Sequence, residues 1–546
     1  ALAAALLGIW AGSLRRDGLP SFRQVTFRRG TVWTARFTAG GESFLLGASF
    51  DGEPPQIFTV HSGGGPPTRF GTHAANLLAV SRTEAAIALD ARPRLPAVTA
   101  GTLARVPLSA GAPRALVENV LFADWDGAGG LWVVRRADGL ELLEAPGGKV
   151  LFSTSGWISH PRVSPDGRHV AFLHHPSIPD DAGHVVVVPS AGGAARVLST
   201  GWISAVGLAW SANGDEVWFT ATGPEGARAL RAVPLRGPTR TVYRMPGNLT
   251  LHDVARDGRV LLAHDTMRVG FVLGREGEAE RDAAWLDSSL LTDLSSDGRT
   301  LLFTEFGEGG GALYSAYVRP ASGGPAERLG DGFATALSPD GRRVLAITTP
   351  TEPRGLVVLP TGPGPAETVA IAPVSVPAWA SFFPDGQGIL LFGGEPEKGL
   401  RLYRLDGTRG GARPISPEGV DVRFPGGAVS PDGLLVAAAA DDGGVLLCPA
   451  DGAPARRLAG APAGLVPVRW TEDGRALLGF VRDVSSARLL RVDAATGSAT
   501  PVRELRPADP AGIVGVATVR VTPDGRTWVY AWARLLSELY VADGLK

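Results

Sequence analysis

One phrase recurs along the chain: an apolar residue, two more residues, Asp-Gly, then an apolar run. It reads VSPDG at Val163–Gly167, WSANG at Trp210–Gly214, VARDG at Val254–Gly258 and LSSDG at Leu294–Gly298. It continues as LSPDG at Leu337–Gly341, FFPDG at Phe382–Gly386, VSPDG at Val429–Gly433, WTEDG at Trp470–Gly474 and VTPDG at Val521–Gly525. Weaker copies precede these: FTAGG at Phe37–Gly41, VSRTE at Val80–Glu84 and a shortened WDG at Trp125–Gly127. With the Asp position as anchor there are twelve copies, 40 to 51 residues apart. A period of this length means that one supersecondary unit is repeated and buries its apolar face against its neighbours.

Each unit has a simple physics. Pro or Ser followed by Asp-Gly forms a tight turn, with Gly taking the positive φ that a Cβ would oppose. The residues that follow are β-branched or large, as in VAFL at Val170–Leu173, VWFT at Val217–Thr220, LLFT at Leu301–Thr304 and ILLF at Ile389–Phe392. Short apolar runs between turn signals read as buried strands. The residues before the anchor supply the preceding strand of a hairpin. A third strand follows a second loop, as in IFTV at Ile57–Val60, VVVV at Val185–Val188 and LVVL at Leu356–Leu359. A fourth follows a Gly-rich turn, as in GGAARVLS at Gly192–Ser199. Four antiparallel strands per unit is the signature of a β-propeller blade. The abundance of 73 Gly and 43 Pro fits a chain of many tight turns.

The expected fold is therefore all-β: two tandem six-bladed β-propellers made of twelve four-stranded blades, with seven plus five as the other partition. The last unit reads as ending after its third strand, LYVA at Leu539–Ala542, and the chain opens with a strand of fourth-strand type, FRQVTF at Phe22–Phe27. Closure by a strand from the other terminus removes free sheet edges. In the simplest scheme Phe22–Phe27 completes the sixth blade and Glu280–Leu286 the twelfth, with a boundary near Gly274–Glu278. The expected domains are residues 1–20 (end of a membrane helix and linker), 21–276 (first propeller) and 277–546 (second propeller). Ala1–Gly12 is apolar but about half the length that spans a bilayer. It reads as the end of a membrane or signal segment, or as a short frayed helix.

Composition excludes several function classes. The 53 basic and 54 acidic side chains nearly cancel, which argues against a nucleic-acid surface or a polybasic membrane arm. Cys448 is alone, so neither an internal disulfide framework nor a cysteine metal site is expected. No G-x-S-x-G, H-E-x-x-H, P-loop or kinase signature is present. Ser164, Ser338 and Ser430 repeat with the blade and read as turn residues. His174 and His175 would point to opposite faces of a strand, so with Asp180, Asp181 and His184 they read as a solvated loop, not a metal site. GEGGGA at Gly307–Ala312 lies between two strands with no helix to receive a phosphate, and reads as a loop. Asp441-Asp442 reads as a hairpin turn.

The remaining candidate is the central funnel. Polar residues just before the anchors can face it: Trp157, His160 and Arg162 in GWISHPR, His252 and Asp253 in LHDV, and Asp293 in LTDL. Such mixed groups at a funnel mouth can bind a ligand or a peptide terminus; equally, they can hydrogen-bond between blades and stiffen the ring. No catalytic, metal or cofactor residue is assigned.

The SPDG repeats resemble the TolB-like six-bladed propeller family. The ordered phrases FRQVTFRRGTVWTARFT, GTLARVPLSAGAPR, GWISHPRVSPDG, LAWSANGDEVWFTAT, RDGRVLLAHD, ERDAAWLD and LLSELYVADGL are similar, more specifically, to the extracytoplasmic propeller half of bacterial transmembrane serine/threonine protein kinases of acidobacterial type. The resemblance covers about residues 20–546. It implies a cytoplasmic kinase domain, then one membrane helix ending in Ala1–Gly12, then this propeller region as a periplasmic, single-pass-anchored sensor. The kinase domain lies outside this chain, so no catalytic residue carries over. The expected role is a non-catalytic sensor or binding module for an unknown ligand or envelope protein. The alternatives are a substrate-gating propeller of a prolyl-oligopeptidase-like peptidase and a free TolB-like periplasmic scaffold.

Overall fold

The computed structural model describes residues 19–546, apart from 72, 96–97, 110, 138–139, 177–179, 224–225, 308–309, 311–313, 349–353, 397, 421–426, 441 and 484. Ala1–Gly12, Asp441 and most of Gly307–Ala312 fall outside the described residues. Regular structure among the described residues is all β, and no helix there is long and apolar enough to cross a membrane.

The recurring turn explains itself at atomic detail. In the unit at Val163–Gly167, Ser164 Oγ donates to Asp166 Oδ1 at 2.6 Å, and that oxygen accepts the Arg168 N–H at 3.0 Å. Ser164 Oγ also accepts the His169 N–H at 3.0 Å, while Gly167 takes φ 72°. The same set recurs around Ser338–Asp340 and Ser430–Asp432, and Thr471–Asp473 and Thr522–Asp524 use threonine instead. The hydroxyl is thus a turn fixture wherever the repeat carries Ser or Thr there, as the sequence implied for Ser164, Ser338 and Ser430; Ala255 and Phe383 stand at the same position in two other units.

Each turn joins an innermost strand to a second strand whose apolar residues fill the space between neighbouring sheets. Phe44, Phe172, Phe219, Phe303, Phe392 and Phe480 all sit on second strands and are fully buried. Each such burial contributes about 1.5–3 kcal/mol. Eight of the sheets are four-stranded meanders. The second and third units are fused into one seven-stranded sheet, because the strand Arg114–Trp125 is outermost in one and innermost in the other.

The sixth and twelfth units depart further from expectation. The strands Val260–Arg275 and Thr527–Asp543 pair antiparallel without a break, from Val260↔Ala542 to Arg275↔Thr527. The start of the first lies beside Asn248–Val254, and the end of the second beside Ser21–Gln24. Beyond their midpoints the end of the first lies beside Arg281–Asp282, and the start of the second beside Ile513–Val521. The two units therefore exchange third strands. Leu539–Ala542 belongs to the sixth sheet, not to the twelfth as expected, and Val269–Leu273 takes its place in the twelfth. The outermost strands follow the expected scheme, with Ser21–Gln24 on the sixth sheet and Arg281–Asp282 on the twelfth.

Innermost strands touch in the order Gly30–Phe37, Ala75–Val80, Arg114–Trp125, Trp157–Val163, Ser204–Trp210 and Asn248–Val254, and the last touches the first. In the other half, Ser289–Leu294 touches both Phe333–Leu337 and Ile513–Val521. The long shared strands carry the loops between second and third strands toward the opposite half. There Arg354 Nη2 meets Asp180 Oδ2 at 3.0 Å, both side chains nearly buried, and Thr31 Oγ1 donates to the Leu535 carbonyl at 2.7 Å. Burial beside Asp180 and Asp181 pushes the Tyr314 phenol up.

Candidate functional site at the centre of the first half

Every innermost strand ends on an apolar residue just before its turn: Phe37, Val80, Trp125, Val163, Trp210 and Val254 in the first half. The residue preceding it points the other way, because side chains alternate along a strand. These preceding residues are Arg36, Ala79, Asp124, Arg162, Ala209 and Asp253. Two arginines and two aspartates thus alternate around one circuit, separated by alanines small enough to let them meet.

They do meet. Arg162 Nη2 lies 2.5 Å from Asp253 Oδ1, and Arg162 Nε lies 3.5 Å from Asp124 Oδ2. Both carboxylates also brace a neighbouring strand: Asp253 Oδ2 accepts the Phe37 N–H and Asp124 Oδ2 accepts the Val163 N–H, each at 2.9 Å. The His252 carbonyl accepts from Arg162 Nη1 at 3.1 Å and from Arg36 Nη1. Burial opposes the Arg162 charge, but Asp253 and Asp124 outweigh it and raise its pKa. Burial, with Arg162 nearby, brings Arg36 down to about 10, so it stays cationic at neutral pH. Burial pushes the Asp124 carboxyl up against the pull of Arg162 and Arg36.

A second device aims side chains inward. The innermost strands carry β-bulges: between Val32 and Thr34, Leu77 and Ala79, Ser159 and Arg162, Val206 and Leu208, and Leu251 and Asp253. A bulge extrudes a residue and re-aims it. Trp33, Leu78, His160 and His252, all at bulges, line one cavity of about 50 Å³ together with Arg36 and Asn76. His160 stands at φ 51°, a left-handed conformation unusual for a residue with a Cβ. Its Nδ1 lies 2.9 Å from Ser159 Oγ, and its ring packs against Phe122. Burial, then Arg36, lowers His160 well below the usual histidine range, and the same pair of causes holds His252 at about 3.

The structure thus brings His160, Arg162, His252 and Asp253 together. Trp157 lies elsewhere: it stacks on His175 at 3.7 Å and donates from Nε1 to the Asp180 carbonyl at 2.9 Å, on the side facing the other half. Asp293 lies in the second half, where its Oδ2 accepts the Leu337 N–H at 2.9 Å. Arg36, Asp124 and Asn76 escaped the sequence reading. Aligning the last two residues of each innermost strand would have found the first two; Asn76 carries no comparable signal. His174 and His184 oppose each other across two strands, while His175 turns to Ser159 on the other face.

No protein-family model matches the sequence, and no curated protein matches it. Among solved structures, the chain is similar to a putative TolB from Agrobacterium tumefaciens, with 20% identity over 50% of this chain and 99% of that one, at a TM-score of 0.38. It is similar to TolB from Acinetobacter baumannii, with 13% identity over 71% and 79%, at 0.24. It is also similar to the tricorn protease, with 11% identity over 92% and 56%, at 0.32. The fold assignment rests on strand order and register in this chain, independently of these similarities.

Proposed function

We propose that this chain is a non-catalytic sensor or binding module built as two six-bladed propellers, residues 21–276 and 277–546, that exchange one strand each. The cyclic contacts of the innermost strands support the ring partition. The observation that carries the functional reading is the centre of the first half. Its carboxylates are each committed to a backbone N–H and its histidines are held neutral, which leaves no base poised near neutral pH, yet a cavity with polar walls remains. A ligand or an envelope protein binds there or on the blade loops.

In this proposal the module lies outside the cell membrane, behind a membrane helix ending in Ala1–Gly12, and reports to a serine/threonine kinase domain. Binding alters that kinase only through different affinities for two receptor states. The purified chain with ATP, magnesium and a generic protein substrate should give no phosphotransfer; heat-labile transfer would contradict the reading. Kinase motifs in the residues encoded before Ala1 are expected, and a G-x-S-x-G hydrolase domain after Lys546 would instead make the chain a peptidase gate.

A further inference from the structure

The cavity at the first centre retains three polar atoms without a hydrogen-bond partner: Arg36 Nε, Asn76 Oδ1 and His252 Nε2. Their residues are only 8%, 5% and 5% exposed, and all three line the cavity. A buried donor or acceptor left unmade is costly, so such groups are normally matched by something that occupies the space. The Asn76 amide is held by its other end, since Nδ2 donates to Thr99 Oγ1 at 2.5 Å. Oδ1 is thus presented as an acceptor and Arg36 Nε–H as a donor.

Charge selects among guests. Arg36 and Arg162 face Asp124 and Asp253 in equal number, so an ion entering the cavity would be buried without a counter-charge. Size selects further: about 50 Å³ holds a group of roughly three to five non-hydrogen atoms, at about 10–15 Å³ per water-sized site. Leu78, Phe122 and Pro161 give the remaining wall an apolar face.

We propose that this cavity seats an uncharged, carboxamide-sized group, whose N–H donates to Asn76 Oδ1 and whose carbonyl accepts from Arg36 Nε–H. The assignment deepens the binding-module reading and rests on it. Acetamide is the probe, with acetate as its charged isostere, added to the full chain and followed by saturation-transfer NMR and by Tm. Saturable binding of acetamide at least tenfold tighter than acetate is expected, with a dose-dependent rise in Tm. Asn76→Leu should abolish it. Because that variant can fail to fold, Thr99→Val, which frees the Asn76 amide to rotate, should weaken acetamide several-fold in a folded protein. Water alone in the cavity, with no saturable acetamide binding, would overturn the assignment, as would equal binding of acetate or an unchanged affinity in folded Thr99→Val. Any of these leaves the phosphotransfer test of the broader reading intact.

Discussion

The penultimate residues of the innermost strands read Arg36, Ala79, Asp124, Arg162, Ala209 and Asp253 in the first half, and Asp293, Ala336, Ser381, Ala428, Arg469 and Arg520 in the second. The scaffold position is the same and so is the brace: Asp253 accepts the Phe37 N–H, and Asp293 the Leu337 N–H. What differs is the use of charge. In the first half Arg162 lies close against Asp253, whereas in the second Arg469 and Arg520 share Asp293 at 3.7 and 3.6 Å. The bulges differ in the same sense. Among the described residues, those of the first half extrude Trp33, Leu78, His160, Gly207 and His252; those of the second extrude Thr292, Thr335, Ala378, Val468, Val514 and Ala517. Thr292 and Thr335 turn back onto carbonyls of their own sheets, so no ionisable group is aimed inward at those positions. One repeat therefore builds a polar chamber and, with different residues at two positions per unit, a braced centre.

The largest effect should follow from removing Leu536–Lys546. That deletion takes Leu539, Val541 and Ala542 from the core between the sixth sheet and its neighbours. The two larger side chains alone contribute about 1.5–3 kcal/mol each, against a total stability of about 5–15 kcal/mol. Hydrogen exchange should lose protection across the first half while the sheets from Ser289 to Leu505 keep theirs, although the deletion is at the far end of the chain. Loss confined to the second half would break the comparison.

Next in size is the pair Asp253→Ala and Asp293→Ala. The first removes a close partner of buried Arg162 and should cost about 3–5 kcal/mol in denaturant unfolding. The second should cost less, about 1–3 kcal/mol, because Asp293 stands 3.7 and 3.6 Å from Arg469 and Arg520, farther than Asp253 stands from Arg162, and Arg469 keeps Ser296 Oγ at 2.8 Å and the Leu294 carbonyl at 2.9 Å. Equal losses would mean that the two centres are energetically alike.

A smaller difference should appear with pH. All nine histidines precede residue 277, so none belongs to the second half. Burial holds His175 and His252 at about 3 and His174 at about 4, against 6.5 ordinarily. For these lowered histidines the unfolded chain takes up protons that the folded one refuses. Their contribution is complete above pH 6.5 and is lost as pH falls toward the folded values. Hydrogen exchange at pH 5 against pH 7 should loosen the first half selectively; uniform loosening would show that the histidines do not set the difference. Smallest should be Asp432→Ala, which removes a turn oxygen bonded to Ser430 Oγ and to the Leu434 N–H, at about 0.5–1.5 kcal/mol.

The fold was legible where a turn must be made. Asp-Gly after an apolar residue fixes both ends of a hairpin, and the strands at Ser21–Gln24 and Arg281–Asp282 complete the sheets that the closure argument chose. The strand exchange was not legible, because Val269–Leu273 and Leu539–Ala542 are equally apolar and period-two patterning encodes a buried face, not a partner. At the site, His160, Arg162, His252 and Asp253 were legible from their place before the anchors. Trp157 was misplaced because the start of an innermost strand lies at the face opposite its turn, where the two halves meet.

The exchange is tested most directly by placing cysteines at His264 and Glu538, which are paired across the shared strands and accessible enough to react. Residues directly opposite in an antiparallel pair lie about 4.5–5.5 Å apart at Cα, within disulfide range. Mild oxidation of the monomeric double variant should close an intrachain disulfide between the sixth sheet and the C-terminal strand. Free thiols after oxidation of the folded monomer, with Glu538→Cys instead linking to a cysteine placed in the twelfth sheet, would contradict it.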